Sequence, residues 1–214
     1  MTKKIFWQDP YLARLQTSIT GVDGDTLTVA ETIFYAFSGG QESDHGTIGG
    51  IFVQEARKDG HEIIYRLDSG HGLKSGDHVE MIIDWERRYQ VMRLHFAAEI
   101  VLELAYRTLP GVEKIGAHIA PDKARIDFEW PENIASVLSV IKQQGQAIID
   151  SDCPIISAYS DEATEMRYWE IVGFARVPCG GTHLRSTGEV GEITLKRKNV
   201  GKGKERIEIV SSHT

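Results

Sequence analysis

Apolar and polar positions alternate in short runs over the first third of the chain. Residues 15–20, 26–31, 50–55 and 62–67 carry this two-residue period, and Asp23-Gly24, Gly39-Gly40 and Asp59-Gly60 separate them. A two-residue period puts the apolar side chains of an extended strand on one face, and Asp-Gly pairs supply the positive backbone torsions of tight hairpins. The pattern predicts an all-β module, a small barrel, that ends near Gly76-Asp77, with residues 78–85 as the strand leaving it. From Arg87 the period lengthens. Val91, Leu94, Ala98, Val101, Leu102 and Ala105 recur at intervals that suit one helix over 87–109, stopped by Pro110-Gly111.

Residues 112–119 and 124–130 then read as two strands joined at Pro121-Asp122. Ile134, Val137, Leu138, Ile141, Ile148 and Ile149 mark a second amphipathic helix. Residues 154–159 read as a strand, 161–168 as a short helix, 171–177 as a strand, and 191–197 with 206–210 as a hairpin closed by 199–203. This order predicts an α+β fold: a small N-terminal β-barrel subdomain over 1–86, followed by an α/β domain with a mostly antiparallel sheet over 87–214.

Two stretches far apart in sequence carry candidate chemistry. On the predicted helix, His95 and Glu99 are four residues apart, so imidazole and carboxylate leave from one face. In Cys179-Gly180-Gly181-Thr182-His183 a thiol and a second imidazole flank two glycines that let the loop fold back. Thiolate, imidazole and carboxylate are all zinc ligands, and three of them with a water make the open site used in hydrolysis. Each stretch alone has an ordinary reading, a solvated or hydrogen-bonded helix pair or a glycine turn; their combination points to a metal. Thiolate with imidazole favours zinc over magnesium or calcium and leaves iron and nickel open. A third stretch, from Phe34 to Gly46 with Ser38-Gly39-Gly40-Gln41 inside it, is either a glycine-rich hairpin loop or a loop whose amides let a ligand approach closely.

With 214 residues the chain can bury a substantial core. Its 24 basic and 31 acidic side chains give a net charge of −7, which does not advertise a general polyanion binder. The local exception is the C-terminal hairpin, where Lys196, Arg197, Lys198, Lys202, Lys204 and Arg206 outweigh Glu205. That segment is either a solvated surface or a strip of phosphate contacts. Two cysteines, Cys153 and Cys179, make no disulfide framework. The first ten residues hold no apolar leader and no later run reaches the ~18 apolar residues of a membrane span, so a soluble cytoplasmic protein is expected. The remaining histidines lack ligand spacing, and His118, in the strand after the long helix, reads as structural.

Together these motifs resemble the alanyl-tRNA editing proteins, the free-standing AlaX group related to the editing domain of alanyl-tRNA synthetase. The resemblance runs nearly end to end: Gln8-Asp9-Pro10-Tyr11-Leu12; Phe34-Tyr35 with Ser38-Gly39-Gly40-Gln41 and Ser43-Asp44; His95; Gly116; and Arg125-Ile126-Asp127-Phe128. It continues through Cys179-Gly180-Gly181-Thr182-His183, Thr187-Gly188-Glu189-Val190-Gly191, Gly201 to Lys204, and Arg206-Ile207-Glu208. It implies hydrolysis of the ester that joins a wrong amino acid, serine or glycine, to alanine tRNA. The site it implies has zinc held by His95, Glu99, Cys179 and His183, and a zinc-bound water as the attacking group with Glu99 as a candidate participant. It further implies that Gly39, Gly40 and Gln41 face the aminoacyl end and that Lys202, Lys204 and Arg206 contact the tRNA.

Two departures from the family pattern bear on that expectation. The family's helix motif is His-x3-His, and Glu99 stands at its second histidine. Thiolate and carboxylate together neutralise a divalent zinc ion and make it a weaker Lewis acid. The family also carries a threonine near the first helix histidine, where this chain has Phe96, Ala97 and Ala98. Two alternatives therefore stay open: a tRNA-binding paralogue with a structural zinc, or a deacylase for another aminoacyl ester.

Overall fold

A computed structural model describes residues 1–201 and 203–212 of the chain, so Lys202 lies outside the described residues. In chain order the strands are β1 (Lys3–Lys4), β2 (Arg14–Asp23), β3 (Thr26–Val29), β4 (Glu31–Thr32), β5 (Gly46–Ile48), β6 (Ile51–Phe52), β7 (Glu55–Asp59), β8 (Glu62–Arg66) and β9 (His78–Ile83). Helix α1 (Trp85–Thr108) follows, then β10 (Glu113–Ile119), β11 (Ala124–Glu129), α2 (Ala135–Asp150), β12 (Ile156–Asp161), β13 (Met166–Ile171), β14 (Ala175–Pro178), β15 (Glu192–Gly201) and β16 (Lys204–Ser212). The fold is α+β, and its sheets are antiparallel apart from the two-residue pairing of β1 with β4.

The chain divides into two compact units, Met1–Ser38 with Glu42–Tyr89, and Gly39–Gln41 with Gln90 onward. In the first unit seven strands pair in the order β6-β5-β9-β2-β3-β8-β7. Strand β2 pairs with β9 through Arg14–Ser18 and with β3 through Ile19–Asp23, its register slipping between Ile19 and Gly21. Alternate residues Leu27, Val29, Ile63, Tyr65, Val79, Met81 and Ile83 fill the core. That core also holds a cation: Arg88, fully buried, is paired with Asp44.

The second unit holds most of α1, helix α2, a four-stranded sheet β10-β11-β16-β15 and a three-stranded sheet β12-β13-β14. Positions 91 to 98 of α1 are all buried. The helix is therefore central, not an amphipathic surface helix with one wet stripe.

Two sequence expectations fail in the three-stranded sheet. Residues 161–168 form no helix; β12 runs to Asp161, and β13 starts at Met166. The Asp161 carboxylate accepts the Ala163 N–H and the Thr164 hydroxyl, and Glu165 takes a positive φ of 57°, so the segment turns back on itself. Its far side, Met166 to Ile171, buries every second residue, Arg167, Trp169 and Ile171, which is a strand period. Residues 171–177 likewise do not make one strand. The chain turns at Val172-Gly173-Phe174, with Gly173 at φ 82°, and β14 begins at Ala175. Residues 50–55 are also divided, between β6 and the start of β7.

Candidate active site

Helix α1 brings His95 and Glu99 one turn apart to the three-stranded sheet. The Cys179 N–H donates to the Arg167 carbonyl at 2.9 Å, so Cys179 takes the next ladder position beyond β14. From there the glycine pair carries the chain across the His95 ring. A Cβ at Gly181 would lie 2.1 Å from His95 Cε1, so no side chain fits at this position. The returning loop is pinned by Gln41, whose Nε2 donates to Thr182 Oγ1 at 2.8 Å and whose Oε1 accepts the Thr182 N–H at 3.3 Å. Gln41 is itself placed by a bridge to Ile119 and by the Ile119 N–H donated to the Gly40 carbonyl at 2.8 Å. Gly40, at φ 92°, lies so close to β10 that a Cβ there would sit 2.5 Å from the Ala117 carbonyl oxygen.

The result is a convergence of donor atoms. Cys179 Sγ lies 3.5 Å from His95 Nε2 and 3.3 Å from His183 Nε2, and the three ligand atoms all fall within 4.8 Å of one another. Glu99 Oε1 is 3.4 Å from His95 Nε2 and 4.0 Å from the sulfur. The two imidazoles and the carboxylate are held from behind. His183 Nδ1 bonds Ser157 Oγ at 2.9 Å, His95 Nδ1 faces the Thr182 carbonyl at 3.3 Å, and the Trp169 indole N–H donates to Glu99 Oε2 at 2.8 Å. The two imidazoles stack at 5.3 Å, and Phe96 packs edge-on against Trp169 and His183. A thiolate and two imidazoles with their rear nitrogens occupied form a donor set that could hold a metal ion, one of the borderline-soft divalent kind.

Charge is stored at the same place. Burial disfavours the Cys179 thiolate, but the His95 and His183 imidazoles outweigh it and bring the thiol down to about 6. Burial would likewise depress His95, and the neighbouring thiolate and Glu99 reverse the sign, lifting it to about 10. Glu99 is pushed up by burial and pulled further down, to about 2, by His95 and the Trp169 N–H, so its carboxyl stays ionised.

The structure thus gathers His95, Glu99, Cys179 and His183 and joins Gln41 to them through Thr182. The C-terminal basic residues have other settings. Lys204 is exposed on β16, and Arg206 is tied to Asp127, with Nε 2.5 Å from Oδ1 and Nη2 3.1 Å from Oδ2. Phe96, Ala97 and Ala98 are core residues, so α1 offers no hydroxyl there. Ser157 and Trp169 were missed in the sequence. Trp169 had a signal, the two-residue period of 166–171; Ser157, an unremarkable serine, had none.

Residues 170–208 match the threonyl and alanyl tRNA synthetase second additional domain. The chain is 32% identical over 221 residues to the alanyl-tRNA editing protein AlaX-M of Pyrococcus horikoshii, covering 98% of this chain and 97% of that protein. It is 31% identical to the protein of the same name from Saccharolobus solfataricus, covering 97% of this chain and 98% of that one. It is also 30% identical to the alanine–tRNA ligase of Staphylothermus marinus, spanning 99% of this chain and 26% of that enzyme.

Proposed function

The chain belongs to the alanyl-tRNA editing proteins, and on that premise we propose that it removes serine or glycine from mischarged tRNA(Ala) at a zinc centre of His95, Cys179 and His183, with Glu99 as fourth ligand. It is an aminoacyl-tRNA deacylase, an ester hydrolase that acts in trans on tRNA charged elsewhere. The observation that carries the site is the convergence of His95 Nε2, His183 Nε2 and Cys179 Sγ within 4.8 Å, with each imidazole held by a partner behind it. A zinc ion held by these residues would supply Lewis-acid polarisation of the ester carbonyl and activation of a water.

The protein's own groups do the rest. The Thr182 carbonyl, which can only accept, fixes the tautomer of His95, and Ser157 holds the angle of the His183 ring. Trp169 takes one oxygen of Glu99, which leaves Oε1 as a single, fixed donor toward the cluster. With Oε1 3.4 Å from His95 Nε2 and 4.0 Å from the Cys179 sulfur, Glu99 is placed to serve as ligand. Gln41 braces the Cys179–His183 loop, and Gly39 and Gly40 present the backbone that faces the aminoacyl end. Lys202, Lys204 and Arg206 belong to the tRNA contact. An apolar wall separates serine from alanine weakly. With Phe96, Ala97 and Ala98 on α1, any serine preference must come from polar groups outside that helix.

The two-sided pairing of β2 in the first unit, with β9 along one half and β3 along the other, supports the small barrel expected for the N-terminal subdomain. Among the described residues no helix is long and apolar enough to cross a membrane, in keeping with a cytoplasmic partner of translation.

The decisive experiment is single-turnover deacylation of seryl-, glycyl- and alanyl-tRNA(Ala), with metal analysis of the same preparation. Release of serine or glycine but not alanine, with close to one zinc per chain, is the expected result. Bound metal with no release of any of the three would overturn the substrate assignment.

A further inference from the structure

The four-stranded sheet β10-β11-β16-β15 has one apolar and one polar face. Its register places Gly116, Asp127, Arg206 and Lys198 in one cross-strand row and His118, Arg125, Glu208 and Lys196 in the next. Residues directly opposite share a face, so these two rows form one surface, while Ile126, Phe128, Ile193, Ile207 and Ile209 fill the other. The polar surface carries four cationic side chains against two carboxylates, in a chain whose net charge is −7.

Asp127 is the centre of that surface. Its Oδ1 and Oδ2 accept Nε and Nη2 of Arg206, and the same Oδ2 accepts Nη1 of Arg125. Three other arginines, Arg88, Arg87 and Arg197, each pair with a different carboxylate, Asp44, Glu42 and Glu205. Here one carboxylate holds two guanidiniums, and the row ends in exposed Lys198 on one side and Gly116, with no side chain, on the other. In the second row Glu208 is shared with Lys123 at 3.7 Å, and Lys196 is exposed. The two arginine side chains are 32% and 21% accessible, so both can be reached from solvent.

We propose that this face binds the phosphodiester backbone of the unpaired 3′ end of the tRNA, with Arg125 and Arg206 as a paired receiver and Lys196 and Lys198 as outer contacts. The proposal rests on the tRNA reading above. A planar guanidinium matches phosphate oxygens in a bidentate fork, and two of them restrained by Asp127 lose less rotamer freedom when an anion arrives. Four strands span about 14 Å at ~4.8 Å per spacing, which gives a strip and not a point contact. The strip also leads to the site. Its edge strand β10 carries Gly40 and Gln41 at Ile119, and Gln41 bonds Thr182 in the Cys179–His183 loop.

The test is equilibrium binding of uncharged tRNA(Ala) to the whole chain across a salt series, beside the deacylation assay. In Lys196→Ala/Lys198→Ala, two exposed changes, the slope of log affinity against log salt becomes shallower by about 1.4, roughly 0.7 for each lost single-strand phosphate contact. Arg125→Gln weakens binding about tenfold, and Arg125→Lys does not restore it because the fork is missing. Lys58→Ala, which removes one positive charge on β7, leaves the slope at the wild-type value. Wild-type affinity and slope in the double-lysine and Arg125 variants would overturn the proposal, as would a wild-type protein that binds no tRNA. A wild-type protein that binds tRNA with the expected slope changes yet hydrolyses no ester would overturn the deacylase reading and leave this surface in place.

Discussion

Arg88 and His95 lie two turns apart on α1, both buried and both ringed by polar partners, and their surroundings differ in where the donors and lone pairs point. Around Arg88 each bond ends on a matched group: Nε on Asp44 Oδ1 at 2.7 Å, Nη1 on the Pro10 carbonyl at 2.9 Å, Nη2 on the Ile33 carbonyl at 2.6 Å and on Asp44 Oδ2. Asp44 also accepts the Tyr35 N–H at 2.6 Å. Around His95 the matching is done at the rear, by Thr182, Ser157 and Trp169, and the front atoms of two imidazoles and a thiol face one another. A closed network specifies a fold; a convergent one could hold a cation. Burial and charge alone would have ranked the two centres alike.

The largest test of that distinction is Cys179→Ala. Removing the thiolate should abolish stoichiometric metal and lower single-turnover ester hydrolysis by roughly a thousandfold or more, while the metal-free fold survives, because the sulfur's partners are two imidazoles that can accept water instead. Metal analysis, turnover and circular dichroism on one preparation check it. Retained metal with retained turnover would show that the convergence is accidental.

Next in size is the closed centre. Arg88→Met leaves Asp44 buried without its cation and should cost about 3–5 kcal/mol in urea unfolding. The double variant Arg88→Met/Asp44→Asn should recover part of that loss, because the residual carboxylate charge is gone. Folded Arg88→Met should still take up metal, which separates a structural centre from a functional one.

A smaller effect belongs to the rear partners. Trp169→Phe removes the indole N–H from Glu99 Oε2 and keeps the ring against Phe96. Metal affinity should fall by roughly 10- to 100-fold in a chelator competition, as for other groups that orient ligands from outside. Glu99→Ala should cost at least as much, and if Trp169 acts through Glu99 the double variant should be no worse than Glu99→Ala alone.

The difference between the two centres also explains what could be read from the sequence. Helix α1, the Asp-Gly hairpins and the Cys179–His183 loop were legible because each is written locally, in a period or in a few adjacent residues. The α+β class followed from their order. Arg88 was invisible, since nothing in a helix arginine says that Pro10, Ile33 and Asp44 will meet it. Trp169 was hidden by the misread turn at 161–165, where Asp161 and Glu165 carry the conformation and the apolar count suggests a helix. Ser157 reaches His183 only through the tertiary fold, and Arg206 joins Arg125 on Asp127 only through the register of β11 with β16, which no single segment records.

The smallest expected effect concerns protons, and it sharpens the comparison most because a closed network of fixed charges has no counterpart to it. In the metal-free protein the Cys179 thiol is lowered from 9.0 to about 6 and His95 is raised from 6.5 to about 10. Below pH 6 both states hold both protons, so the pair adds no slope. From 6 to 6.5 the folded state has lost one that the unfolded chain keeps, and stability rises with pH. Between about 6.5 and 9 each state holds one proton, on His95 when folded and on the thiol when unfolded, so the contribution is at its greatest and flat. From 9 to 10 the unfolded chain has lost its last proton first, and stability falls. The cluster should therefore show thiolate absorbance near 240 nm that appears around pH 6 and is absent in Cys179→Ala, while the urea midpoint of the metal-free protein gains nothing from this pair between pH 6.5 and 9. A thiolate signal that appears only near pH 9 would mean that the imidazoles and sulfur do not share charge, and the convergence would lose its electrostatic half.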